Sequence, residues 1–139
     1  HRWDYVHDEV GYNYRMPNIN AALGCAQIEQ LDVFKASKRS LFKAYKYALS
    51  NIPEINIIEE PLGSESNYWL QAIKIQSDDL SLRNAILEAM NNAGYMARPV
   101  WSLLHRFKHF EHYPRSPLPV AEMLEQKIIN IPSSSNIMI

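Results

Sequence analysis

Between Ile19 and Ser50 apolar residues recur with many spacings of three or four: Ile19, Leu23, Ala26, Leu31 and Phe34, then Leu41, Phe42, Tyr45, Ala48 and Leu49. That period predicts an amphipathic helix. The run is about three times the usual helix length, so a bend or break is expected near Asp32-Val33. Lys35, Lys38, Arg39, Lys43 and Lys46 fill the intervening positions. They read as a solvated helix face, with a polyanion site as the alternative.

After Asn51-Ile52-Pro53 the period changes. Ile55 to Ile58 predicts a short strand, and Tyr68 to Gln76 (YWLQAIKIQ) predicts the best strand of the chain, with Tyr68, Leu70 and Ala72 alternating with Trp69, Gln71 and Ile73. Ser77-Asp78-Asp79 caps a second helix, with Leu82, Ile86, Leu87, Ala89 and Met90 on its apolar face. Gly94 is placed to close it in the left-handed conformation. Tyr95 to Arg98 predicts a short strand stopped by Pro99, Val120 to Gln126 a short helix, and Ile128 to Pro132 a last strand. The order helix, strand, strand, helix, strand, helix, strand predicts an α+β fold: a small antiparallel or mixed sheet covered by helices. Residues 1–139 read as one domain without internal repeats.

The opening of the first helix carries the most chemistry. In Gly11-Tyr12-Asn13-Tyr14-Arg15-Met16-Pro17-Asn18-Ile19-Asn20-Ala21-Ala22-Leu23-Gly24, Pro17 suits a first helical turn. Asn18 and Asn20 can offer oxygens to the free N–H groups there. Ala21, Ala22 and Gly24 make a small-residue surface for close backbone approach. Asn13, Tyr14 and Arg15 then stand at a helix N-terminus, whose partial positive charge attracts phosphate. An amide, a phenol and a guanidinium in that place form an anion-binding constellation. An ordinary capped loop is the other reading, and the residues alone leave both open.

The chain has 139 residues, 47% hydrophobic and 21% charged, with a net charge of −1. This balance offers no footprint for nucleic acid or an acidic membrane surface. No apolar run reaches the roughly 20 residues that span a bilayer, and a cytoplasmic protein is expected. Cys25 is the lone cysteine and is expected to be a buried small hydrophobe in a helix. His1 to Glu9 shows no period and reads as an extended lead-in, with Trp3 and Tyr5 covering a neighbouring surface. His7, Asp8 and Glu9 read as surface polar residues. His1 in place of an initiating Met suggests a piece of a longer protein. The chain contains no GxGxxG, GxxxxGK[ST], GxSxG or CxxC.

Two further groups invite function. Arg98-Pro99-Val100-Trp101 with His105 sets a cation, a flat aromatic and an imidazole close together. Pro99 keeps Arg98 out of helical geometry. Arg can grip a phosphate with two hydrogen bonds and Trp can stack on a base; a salt-bridged Arg and a core Trp are the alternative. His105, His109 and His112 would share one face of a helix and invite a metal. Pro114 and the lack of an acidic or thiolate ligand at recognisable spacing argue against metal, and none is expected.

The segment GYNYRMPNINAALGCAQIEQLD resembles the one that follows the cofactor lysine in the DegT/DnrJ/EryC1/StrS family of sugar-nucleotide aminotransferases. The resemblance continues at Ser66-Asn67-Tyr68-Trp69, Arg98 to His105, and Asn130-Ile131-Pro132-Ser133-Ser134, so it spans nearly the whole chain. It is nearest the LegC-like branch, which aminates a UDP-linked keto-sugar on the way to legionaminic acid. The resemblance implies the C-terminal small domain of a fold-type I, aspartate-aminotransferase-like enzyme, with residues 1–15 a lead-in from the large domain. It implies pyridoxal 5'-phosphate, glutamate as amino donor, a 4-keto nucleotide sugar as acceptor, and a homodimer. It places the Schiff-base lysine upstream of His1, so no catalytic residue is expected in this chain and the chain alone is expected to be inactive. Asn13 and Tyr14 would touch the cofactor phosphate of a partner subunit, with Arg15 serving that phosphate or the substrate diphosphate. Arg15, Arg98, Trp101 and His105 would serve the nucleotide sugar. A non-catalytic dimerisation module that retains only the small domain is the rival from another class.

Overall fold

The computed structural model describes residues 11–137; the expectations for Trp3, Tyr5, His7, Asp8 and Glu9 lie outside them. The chain divides into two compact units, one ending at Asp32 and the other running from Val33.

The first unit holds helix α1, Asn18–Glu29. Pro17 takes the N-cap position and no side chain caps the helix, so Asn18 and Asn20 do not bond its free N–H groups as the sequence predicted. No residue of α1 is buried. Cys25 is exposed, contrary to expectation. Ile19, Leu23 and Ile28 are also exposed: among the described residues nothing covers the apolar side chains of α1. The predicted long helix breaks at Gln30, two residues before the expected place. Gln30 leaves helical geometry at φ −103° and ψ 2°, and its N–H turns back to Gln27 O at 3.2 Å. Helix α2, Leu31–Ala48, follows.

The second unit is built on four strands: β1 Ile55–Ile57, β2 Gln71–Ile75, β3 Arg98–Pro99 and β4 Ile128–Ile131. Helix α3, Leu80–Asn92, links β2 to β3, and helix α4, Pro119–Lys127, leads straight into β4. The sheet order is β1-β2-β4-β3, and every pairing is antiparallel. Ile73 lies opposite Ile129, and Ile55 opposite Ile75. Alternation puts Ile73, Ile75, Ile129 and Ile131 on one face, where with Ala97 they form the buried core. Tyr45 of α2, Leu49 just after it, and Ile86, Leu87 and Met90 of α3 pack over it. Burial of each such isoleucine contributes about 1.5–3 kcal/mol. Leu82 and Ala89 were expected on the apolar face of α3 but are exposed.

Asp79 caps α3 by accepting the Ser81 N–H at 2.8 Å. Gly94 closes it at φ +83°, as its place after the helix suggested. The next strand differs from expectation. Both backbone groups of Ala97 bond the Asn91 side chain, and pairing begins only at Arg98, opposite Asn130. Pro99 does not stop the strand; it belongs to it. Strand β3 is at the sheet edge, where a residue without an N–H is tolerated.

Candidate functional site

A cleft of about 790 Å³ opens beside the edge strand of the second unit, walled by Trp69-Leu70, Met96, Arg98 to Ser102 and Asn130 to Ser134, with Lys38 of α2. Local geometry presents its aromatic residues. Tyr68 has φ +47°, a backbone region that non-glycine residues rarely occupy. That turn sends the Tyr68 ring inward to stack on Phe42 at 4.3 Å and leaves Trp69 exposed. Trp69 stacks on Trp101, ring centroids 5.9 Å apart. Arg98 and Trp101 therefore line one cavity, together with Trp69, which the sequence reading had placed in a strand.

The far wall is fastened to α2. Ser37 Oγ donates to Ser135 O at 2.6 Å, Tyr45 OH to Pro132 O at 3.1 Å, and Lys38 Nζ to Ser133 O and to Trp69 O, the latter at 3.0 Å. Below them Gln71 Nε2 donates to Lys38 O at 3.0 Å, and Gln71 N–H to Ser133 Oγ at 2.7 Å. Burial lowers the Lys38 pKa by penalising its charge. Lys38 was read from the sequence as part of a solvated face. Its partners lie 31 and 95 residues away, and no local spacing signals them.

His105 does not line the cleft. It lies in a 3₁₀ turn, Leu104–Arg106, with its Nε2 3.1 Å from Glu122 Oε1 of α4. Glu125 ties the same turn through the Leu103 N–H at 3.1 Å and Arg106 at 2.6 Å. His109 stacks on Phe107 and meets Phe110 edge-on, and His112 lies tilted against Tyr113. The helical face that would have aligned the three histidines is not formed. Among the described residues, no cluster of His, Cys, Asp and Glu could hold a metal ion.

In the first unit, Asn13, Tyr14 and Arg15 are exposed. Asn13 Oδ1 accepts both the Arg15 N–H, at 3.0 Å, and Arg15 Nε, at 3.2 Å. That holds the amide through its oxygen and leaves the two N–H groups of Nδ2 without a partner among the described residues. The Arg15 terminal nitrogens have no carboxylate partner among the described residues. With the uncapped first turn of α1 nearby in sequence, this is a neutral-plus-cationic donor set with no acid in it among the described residues. Such a set fits a phosphate dianion.

The sequence model of the DegT/DnrJ/EryC1/StrS aminotransferase family matches residues 1–138. The chain belongs to that family. Its relatives include a GDP-perosamine synthase of Vibrio cholerae, 31% identical over 130 residues, covering 93% of this chain and 35% of that protein. The GDP-perosamine synthase of Escherichia coli O157:H7 is 35% identical over 132 residues, covering 93% and 34%. This family member thus spans about a third of the length of the curated relatives it matches. In fold it is similar to Helicobacter pylori PseC, an aminotransferase involved in the biosynthesis of pseudoaminic acid. The TM-score is 0.86 at 19% identity, covering 99% of this chain and 37% of that one.

Proposed function

We propose that this family member is the C-terminal portion of a pyridoxal 5'-phosphate-dependent enzyme that transfers an amino group, from glutamate, to a 4-keto nucleotide sugar. The observation that carries this reading is the family match along residues 1–138. In the proposal the cofactor, when bound, supplies the electron sink for moving an amino group between carbons. This chain's residues bind and orient. Asn13 and Tyr14 hold the cofactor phosphate across a homodimer interface, and Arg15 holds that phosphate or the substrate diphosphate. The fixed Asn13 amide supports this, and so does α1, whose exposed Ile19, Leu23 and Ile28 call for a covering surface. Arg98 and Trp101 contact the nucleotide sugar in the cleft. His105 acts at one remove, holding the turn that follows Trp101 against α4. The resemblance points to a UDP-linked sugar of legionaminic acid biosynthesis. The relatives named GDP-perosamine synthases favour a GDP-linked one as the second reading.

The test is the full-length protein with cofactor, glutamate and UDP- or GDP-linked 4-keto sugars. 2-Oxoglutarate and an aminated sugar nucleotide should form in equal amounts, and the better acceptor names the nucleotide. No transfer to either class would overturn the proposal. In the same protein Asn13→Asp sets a carboxylate against the phosphate, and cofactor affinity should fall about tenfold or more. Asn13→Ala loses a charge-assisted bond of about 1.5–3 kcal/mol. Parental affinity in both variants would remove Asn13 from the site.

A further inference from the structure

The cleft lining contains two cations, Lys38 and Arg98, and no carboxylate. Several cations elsewhere in the chain meet a carboxylate. Arg39 meets Glu60, Lys46 meets Glu59, Arg106 meets Glu125 and Lys127 meets Asp78, all within 2.9 Å. Lys38 Nζ has only two backbone carbonyls as partners among the described residues. An ammonium carries three donors, so one N–H is left over in a side chain already fixed at the cleft wall. The Arg98 guanidinium lies 3.9 Å from the Met96 sulfur and meets no carboxylate among the described residues. Burial disfavours the Lys38 charge. A bound anion would offset that cost.

We infer that Lys38, with Arg98, forms an oxyanion subsite in this cleft, taking a phosphate or carboxylate group of the ligand. This deepens the reading of the cleft given above. The two carbonyl bonds immobilise Lys38, so little side-chain freedom remains to be lost on binding. They also make the subsite depend on the Trp69 and Ser133 backbones, the two walls that Lys38 joins.

The test is calorimetric titration of the full-length protein, cofactor loaded, with inorganic pyrophosphate and separately with glutarate, which mimics the donor's carboxylates but carries no amino group. Turnover is not needed, so the result stands apart from the activity assay. Lys38→Gln keeps amide donors for the two carbonyls and removes the charge; Lys38→Arg keeps the charge. Lys38→Gln should weaken one or both probes tenfold or more with an unchanged thermal midpoint, and Lys38→Arg should stay within about threefold of the parent. Loss for pyrophosphate alone assigns the subsite to a phosphate, and loss for glutarate alone to a carboxylate. If the parent binds neither probe, or Lys38→Gln binds both as the parent does, Lys38 only clamps the walls and the inference is overturned.

Discussion

Gln71 is the residue whose surroundings conflict most. It is 1% exposed, and its Oε1 has no hydrogen-bond partner among the described residues. Its Nε2 donates to Lys38 O, a carbonyl in mid-helix with its own helical partner. That bond contributes about 0.5–1.5 kcal/mol net, while a buried orphan acceptor costs about 1–3 kcal/mol. Gln71→Met keeps the length, removes both, and leaves no backbone group unpaired. Urea unfolding should show the variant as stable as the parent or more so; a loss above about 1 kcal/mol would contradict this. Sequence alternation had put Gln71 on one strand face with Trp69 and Ile73. In the fold Gln71, Ile73 and Ile75 share the buried face, and Trp69 lies outside the strand. The difference arises at Tyr68, whose left-handed backbone resets the alternation. A tyrosine gives no sign of that geometry, whereas Gly94 after a helix does.

Helix α2 is the element that organises the second unit, and its two polar flanks hold different loops. Ser37, Lys38 and Tyr45 grip carbonyls of residues 132–135. Arg39 grips the loop before β2 through both Glu60 oxygens, at 3.0 and 2.8 Å, and lies 5.4 Å from the Tyr68 ring centroid. The Arg39 hydrogen bonds, and then the Ser66 N–H, hold the Glu60 carboxyl below the ordinary carboxylate range. Bonding to Ser81 does the same for Asp79 at the start of α3. A carboxylate with a depressed folded pKa stabilises fully above its unfolded value, near 4.3 for Glu, and that contribution is lost as pH falls through the lower folded value. The thermal midpoint should therefore drop as pH falls below about 5, with a shallower drop in Glu60→Gln. Equal slopes in parent and variant would show that Glu60 is not the linked group. At this scale the sequence was readable in part: Leu41, Phe42 and Tyr45 of α2 and Ile86, Leu87 and Met90 of α3 turn inward as their period predicts, whereas Leu31, Leu82 and Ala89 are exposed. It misplaced β3 because the partner strand, through Asn130 opposite Arg98, sets where pairing starts.

Across the whole chain the two units differ in what their sequences can bury. In the second, isoleucines from two strands close a core under two helices. In the first, α1 carries apolar residues that remain exposed. The candidate site follows the same division. Asn13, Tyr14 and Arg15 are adjacent in sequence and so could be picked out together, whereas the cleft joins Lys38, Trp69, Arg98 and Ser133 from four separate segments. Only the fold brings those together, which is why Lys38 and Trp69 escaped a reading by spacing. The difference in burial has a consequence for the 139-residue chain studied alone. A helix of 12 residues without a buried face is marginal in water, since most helical stability comes from packing. Opening α1 exposes almost no new apolar surface, while opening β2 or β4 exposes the core. Amide exchange should therefore run far faster in Ala22–Glu29 than in Ile73, Ile75 and Ile129. In the proposed homodimer of the full-length protein α1 is covered, and its exchange should slow by orders of magnitude. Protection of α1 equal to that of β2 in the isolated chain would show that the helix is held by something other than packing, and would remove its exposed face as support for the dimer.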